Sequence, residues 1–315
     1  MSARTADKPR SGKIVGTGHR VQHDGIRLYV WEKLSAAAGL PVVVLAHGSS
    51  SPGRETFDLQ APGKPSYSLM DFLAREGFDV FAADVRGFGR STRPDAPVTT
   101  EQAAEDLDAV VDHVRGLRGA ERVLLLAWSW GTQYAGMFVA AHPDKVARYV
   151  SYAQMHAGSA DLARRRAKLD DYRRSLYTDT PEPYWRGRFH SQTPDEANDA
   201  VVIDAFAAAA ARVQPSTPSG PQVDLLTRLP MVRPEAIPVP TLMIHGEYDD
   251  VADRAGLMPF FERLSNPDKK YVIVPDAGHM MHLQKGHRIF QQAVADFLRG
   301  NTGDNVHLTR LNMDY

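Results

Sequence analysis

The feature that most limits what this chain can fold into is the unbroken run Val123-Leu-Leu-Leu-Ala-Trp128, which passes through Ser129 into helical spacing from Thr132 to Ala141. Such a run reads as a parallel strand covered on both faces, so strand must turn into helix within two or three residues. The flanks of that turn have to be small, and Ala127 and Gly131 stand two residues to either side of Ser129. A serine at this junction reads either as the N-cap of the helix, worth about 1 kcal/mol, or as a nucleophile presented on a strained turn.

The same alternation extends along the chain. Val21–His23 and Ile26–Trp31 flank Asp24-Gly25, a dipeptide that closes hairpins. Strand-like runs follow at 42–46, 79–84, 146–152, 240–245 and 270–274. Helices are expected over 66–77, from Thr99 or Thr100 to Leu117, up to Leu264, and over 287–299 with Ile289, Phe290, Val294 and Phe297 inward. The acids Glu101, Glu105, Asp106 and Asp108 read as a solvated helix face. Residues 54–65 read as an ordered loop, because Pro62 and Pro65 would break a helix. This order predicts an α/β fold, a mostly parallel central sheet with helices on both faces.

Between residues 156 and 237 no buried-strand pattern occurs. Arg164-Arg165-Arg166, the aromatics Tyr184, Trp185 and Phe189, and an alanine-rich stretch over 204–212 mark a mainly helical insertion. The arginine run is expected on its solvated face, and the aromatics either line an entrance or fix the insertion to the body. The expected organisation is a disordered tail over 1–15, a core domain over 16–155 and 238–300, a helical cap over 156–237, and a C-terminal tail over 301–315.

A net charge of -1 and the lack of a nucleic-acid reader motif argue against a nucleic-acid partner. With no cysteine the chain has no disulfide, no thiolate metal site and no thiol nucleophile. His113, His142 and His190 are scattered without metal-ligand spacing, so neither metal nor cofactor is expected. No stretch approaches the roughly 18 apolar residues of a membrane span. A soluble, cytoplasmic protein without membrane association is expected.

In an open parallel sheet, functional groups gather at the carboxyl ends of the strands. Four runs here end in polar groups: His47-Gly48-Ser49, Ser129, Asp249 and His279. A serine hydroxyl is a poor nucleophile until an imidazole takes its proton, and the imidazole needs an acid to fix its tautomer. The chain order Ser, Asp, His, taken with four motifs, resembles the α/β-hydrolase superfamily in its lidded serine esterase and lipase-like branch. The motifs are His47-Gly48 after a strand, Asp84-x-Arg86-Gly87-x-Gly89-x-Ser91, Ala127-Trp128-Ser129-Trp130-Gly131, and Gly246-Glu247-Tyr248-Asp249 with Ala277-Gly278-His279. Ala127 replaces the glycine usual at its position, and the likeness covers roughly residues 21–300.

The resemblance implies an α/β-hydrolase fold with the insertion as its lid. It implies Ser129 as nucleophile, His279 as general base and then acid, and Asp249 as the orienting carboxylate, with Asp250 the rival. The backbone N–H groups of Trp130 and Ser49 would form the oxyanion hole, with Gly48 or Ser50 as alternatives on that loop. Substrate is expected against Trp130 and Gly48, with Trp128 in the core. His47 is expected to hold its loop by a buried hydrogen bond, Asp84 and Arg86 to serve a turn, and His282 and His287 to be loop and helix residues.

The implied activity is cofactor-free hydrolysis of a carboxylic ester of a small or medium apolar compound. Lactones, thioesters, amides and carbon–carbon bonds beside a ketone fit the same machinery, and a small-molecule receptor is the reading from another class. Epoxide hydrolases and haloalkane dehalogenases carry aspartate at this turn. Ser129 would form an alkyl ether there, which water does not readily cleave.

Overall fold

Asp24 and Gly25 both take positive φ, 46° and 74°, and so supply the twist that a two-residue hairpin needs. They join β1 (Ile14–His23) to β2 (Ile26–Ser35) in an antiparallel pair. This computed structural model describes residues 13–35, 39–157, 159–190, 193–252 and 254–300. β1 thus begins inside the stretch 1–15 expected as a tail. Residues 1–12 and the tail expected over 301–315 lie outside the described residues.

β3 (Val42–Ala46) leads into α1 (Gly53–Phe57) and α2 (Leu69–Arg75), and β4 (Asp79–Asp84) into α3 (Thr100–Arg118). β5 (Val123–Trp128) leads into α4 (Gly131–Ala141), and β6 (Val146–Tyr152) follows. The inserted segment holds α5 (Ala160–Arg165), α6 (Leu169–Arg174), β7 (Tyr177–Asp179), α7 (Glu182–Gly187), α8 (Ala200–Val213), β8 (Ser216–Pro218) and α9 (Gly220–Thr227). β9 (Thr241–Gly246), α10 (Leu257–Glu262), β10 (Lys269–Val274) and α11 (His287–Leu298) complete the fold.

The main sheet has eight strands in the order β1-β2-β4-β3-β5-β6-β9-β10. β2 runs antiparallel to both β1 and β4, and the remaining pairs are parallel. Every residue of β3, β4, β5 and β9 is buried, which is why their sequences read as continuous apolar runs. No helix among the described residues is long and apolar enough to cross a membrane.

Several expectations are corrected. The stretch read as loop from Arg54 begins as the short helix α1, since Pro62 and Pro65 lie beyond its end and Pro52 stands at its N-cap. α2 starts at Leu69 rather than Ser66, because the Ser68 side chain accepts from the Asp71 N–H and caps it. Asp106 leaves the solvated face of α3 and takes a buried bidentate pair from Arg86. Ile289 is 42% exposed, one residue off the stripe that buries Phe290, Val294 and Phe297. In the insertion, β7 and β8 pair as a small antiparallel sheet, too short and polar to show in the sequence. The arginine run is not simply solvated, since Arg165 pairs with Asp161 at 2.7 Å and Arg164 with Asp250 at 2.5 Å.

Three buried histidines make the fold acid-sensitive. Burial pushes His47 and His245 down to about 4 and His282 to about 3, well below the value of an unfolded chain. Between those values and about 6.5 the unfolded state binds more protons, so stability falls as pH falls. Asp79 and Asp84, pushed up by burial to about 6, take up protons in the folded state and offset part of that loss. His245 stacks on Tyr271, and neither ring nitrogen has a hydrogen-bond partner among the described residues. Urea unfolding of His245→Phe should therefore lose about 2 kcal/mol less than the parent between about pH 7 and pH 5; an unchanged difference would contradict this.

Candidate active site

The strand–helix turn is tight in the way its sequence requires. Ser129 takes φ 57°, a left-handed conformation that costs a residue with a β-carbon about 1–2 kcal/mol. Neighbours hold it there. The Ser129 N–H donates to Tyr152 O at 2.9 Å, and the Thr132 N–H and hydroxyl donate to Ser129 O at 2.9 and 2.7 Å. A β-carbon on Gly131 would stand 2.8 Å from the carbonyl oxygens of Ala46 and His47, so α4 can start this close to β3 only with glycine there.

Asp249 and His279 arrive on loops pressed together in the same way. A β-carbon on Gly246 would lie 2.5 Å from the carbonyl oxygens of Ala277 and Gly278, and the Tyr248 N–H donates to Ala277 O at 2.8 Å. His279 Nδ1 lies 2.9 and 3.0 Å from the two carboxylate oxygens of Asp249, and its Nε2 lies 2.9 Å from Ser129 Oγ. An ionised carboxylate only accepts, so Nδ1 carries the hydrogen and Nε2 is free to accept from the serine. Asp249 also accepts from the Val251 and Ala252 N–H groups at 3.0 and 2.9 Å. Burial opposes its charge, yet His279 and these donors hold its pKa below the ordinary carboxylate value. Asp250, the rival acid, points away to Arg164 of the insertion.

A feature the sequence did not reveal lies behind the imidazole. The backbone carbonyl of His279 accepts from Trp128 Nε1 at 3.0 Å and from the Tyr152 hydroxyl at 2.9 Å. His282 Nδ1 lies 2.8 Å from that hydroxyl; because burial keeps the ring neutral and the hydroxyl hydrogen is already used, Nδ1 donates. The available signal was register, since Trp128 and Tyr152 are direct partners at the carboxyl ends of β5 and β6. His287, also expected as a helix residue, starts α11 and bonds to Ser66 Oγ at 3.0 Å.

The loop after β3 closes over the serine. A β-carbon on Gly48 would stand 3.3 Å from Ser129 Cβ and 3.2 Å from the Trp128 ring. His47 holds the loop, its Nδ1 donating to Gly48 O at 2.7 Å while its Nε2 accepts from the Val85 N–H at 3.3 Å. Buried Asp84 ties the far end of this loop to the β4 turn, accepting from the Gly53 and Arg90 N–H groups at 2.6 and 2.9 Å. The N–H groups of Ser49 and Trp130 have no protein acceptor among the described residues. From the insertion, Thr217 Oγ1 donates to Ser49 O at 3.1 Å, Gln222 Nε2 to Ser49 Oγ at 3.0 Å, and the Tyr184 hydroxyl to Ser50 Oγ at 2.9 Å.

Both tryptophans belong to the buried core, as expected of Trp128 but not of Trp130. The Trp130 side chain is fully buried, donates from Nε1 to Thr100 Oγ1 at 3.0 Å, and packs against Phe88 and Tyr134, which leaves it closed off from solvent. Trp128 lies beside His279, with ring centroids 5.4 Å apart. Trp185 and Phe189 both pack on Phe206 inside the insertion. A cleft of about 800 Å³ at the opposite end of the sheet, between Val42, Asp79 and Arg118, contains none of these groups. Among the described residues no cluster of three or more His, Cys, Asp or Glu side chains could hold a metal ion.

The model of the alpha/beta hydrolase fold family matches residues 41–286. Epoxide hydrolase A of Mycobacterium tuberculosis is 33% identical over 133 residues, 42% of this chain and 36% of that protein. Epoxide hydrolase 2 of Siraitia grosvenorii is 32% identical over 82 residues, 25% of each chain. These alignments thus span no more than 36% of the curated relatives' length. Among solved structures, a thermophilic esterase from Thermogutta terrifontis superposes with TM-score 0.68 at 22% identity, covering 90% of this chain and 98% of that one. Epoxide Hydrolase A from Mycobacterium thermoresistibile gives 0.67 at 21% identity, covering 91% and 99%. These structural likenesses establish the fold.

The strain at the turn is measurable without any substrate. Replacing Ser129 by glycine relieves the left-handed conformation, whereas alanine keeps it, so Ser129→Gly should be more stable than Ser129→Ala by up to about 1 kcal/mol. Thermal unfolding of the two variants side by side checks this, and a more stable alanine variant would contradict it.

Proposed function

The chain belongs to the alpha/beta hydrolase family, and we propose that within it the protein is a serine hydrolase of carboxylic esters. The observation that carries this reading is the continuous path from Ser129 Oγ through the His279 ring to Asp249, each step 2.9–3.0 Å long. His279 Nε2 takes the hydroxyl proton as Ser129 Oγ attacks the ester carbonyl, and Asp249 stabilises the imidazolium that forms. The developing oxyanion is received by the N–H groups of Trp130 and Ser49, each such donor being worth about 3–4 kcal/mol of barrier. His279 then protonates the leaving alkoxide. In the second half-reaction it takes a proton from water, which attacks the acyl-enzyme, and Ser129 recovers its proton as the acid departs. The expected substrate is a small or medium ester.

Segment 156–237 acts in this reading as a lid, and its contacts to Ser49 and Ser50 couple lid position to the oxyanion loop. The similarity to proteins named epoxide hydrolases does not redirect the proposal. Opening an epoxide with Ser129 would leave an ether, for which this site offers no route to hydrolysis.

Turnover of a para-nitrophenyl ester tests the reading. Ser129→Ala and His279→Gln should each lower kcat by roughly 10⁴-fold or more, and Asp249→Asn by roughly 10⁴-fold through loss of the correct tautomer. Asp250→Asn should change kcat far less than Asp249→Asn. An Asp250→Asn variant as impaired as Asp249→Asn, or a Ser129→Ala variant turning over at the parent rate, would contradict the assignment.

A further inference from the structure

Among the described residues of the lid segment, Arg188 is the one cation that is partly buried and has no partner; Arg166, Lys168, Arg212 and Arg233 are also unpaired but lie exposed. Arg164 and Arg165 both pair with Asp161, and Arg164 also reaches Asp250. Arg188, at the C-terminal end of α7, makes no ion pair and no side-chain hydrogen bond among the described residues. A partly buried guanidinium without a protein acceptor leaves its five donors to water or to a ligand.

Its position makes that vacancy informative. Tyr184 lies one helical turn earlier, so both side chains leave the same stripe of α7. The Tyr184 hydroxyl is seated on Ser50, in the loop that covers Ser129. Burial works against the Arg188 charge, yet Tyr184, Asp161, Asp250 and Asp249, acting through space, raise its pKa above the ordinary arginine value. The stripe of α7 that carries Arg188 is thus held at the loop over Ser129 through Tyr184, and Arg188 itself lies within electrostatic reach of Asp249 and Asp250 on the loop after β9. The acids within its electrostatic reach are committed elsewhere: Asp249 to His279 and two backbone donors, Asp161 and Asp250 to the arginine pairs.

We propose that Arg188 anchors a free carboxylate on the substrate, making the preferred esters those of acids that carry a second, unesterified carboxyl group. A guanidinium binds a carboxylate through two parallel N–H···O bonds, so it fixes orientation as well as charge. A substrate held at both ends presents its ester carbonyl to Ser129 in one pose. The hydrolysis is unchanged: water is consumed, the alcohol leaves, and the acid released is a dicarboxylate. The proposal rests on the serine-hydrolase reading above and adds the substrate class to it.

The test compares para-nitrophenyl hemiesters of succinic, glutaric and adipic acids with the same compounds methylated at the free carboxyl. For at least one chain length the parent should favour the anionic ester in kcat/KM by about tenfold or more, and Arg188→Gln should abolish that preference. Arg188→Lys keeps the charge without the fork and should retain only part of it. A preference absent from the parent at all three lengths, or equal in parent and Arg188→Gln, overturns the proposal. So does a parallel loss on both esters with a displaced pH profile, which would place Arg188 in support of Asp249. Calorimetric binding of monomethyl against dimethyl glutarate to Ser129→Ala, with and without Arg188→Gln, reads the anchor without chemistry. Binding that depends on Arg188 in a protein that turns over no ester upholds the anion site and removes the hydrolase reading; turnover without Arg188-dependent discrimination does the reverse.

Discussion

The left-handed turn at Ser129 is the constraint from which the remaining geometry follows. A residue with a β-carbon is held at φ 57° because β5 must end, and α4 begin, within van der Waals reach of β3. That approach forces glycine at 131 and places Gly48 over the serine. Strain of this kind persists only where surrounding structure over-determines it. Here the Tyr152 carbonyl and the Thr132 side chain do so.

The imidazole is controlled from two directions. Asp249 fixes its ring, while Trp128 and Tyr152 fix the backbone from which it hangs. The second arrangement links the His279 loop to the strand that carries Ser129, since Trp128 is the residue immediately before Ser129. A displacement of the turn would therefore move Ser129 and His279 together. The insertion contributes the remaining restraint, holding Ser49 and Ser50 by side chains of Thr217, Gln222 and Tyr184.

The parts of this arrangement that could be read from sequence are those in which burial dictates residue type. β4 and β6 fall where their apolar runs end, and the strand-end motifs bring Ser129, Asp249 and His279 to one rim. What could not be read depends on which way a side chain turns or on a pairing across the fold. Trp128 and Trp130 are equivalent as letters, but the first looks along the strand end toward His279 and the second is driven under the helix onto Thr100. Asp106 looked like any acid on a helix face until Arg86 met it. The three-residue strands of the insertion have no periodicity to detect, and the hydroxyl of Tyr152 matters only because of its partner across the sheet. Arg188 became distinctive by being partly buried without a partner among the described residues, which only three-dimensional placement reveals.

The central claim is that Ser129 is an activated nucleophile. Its most direct measurement is the mass of the intact protein, and of its peptides, after exposure to a fluorophosphonate. The account predicts a single adduct per chain, carried on the peptide containing Ser129, formed rapidly by the native protein and not by His279→Gln. No adduct, an adduct on another residue, or equal labelling of His279→Gln would contradict it.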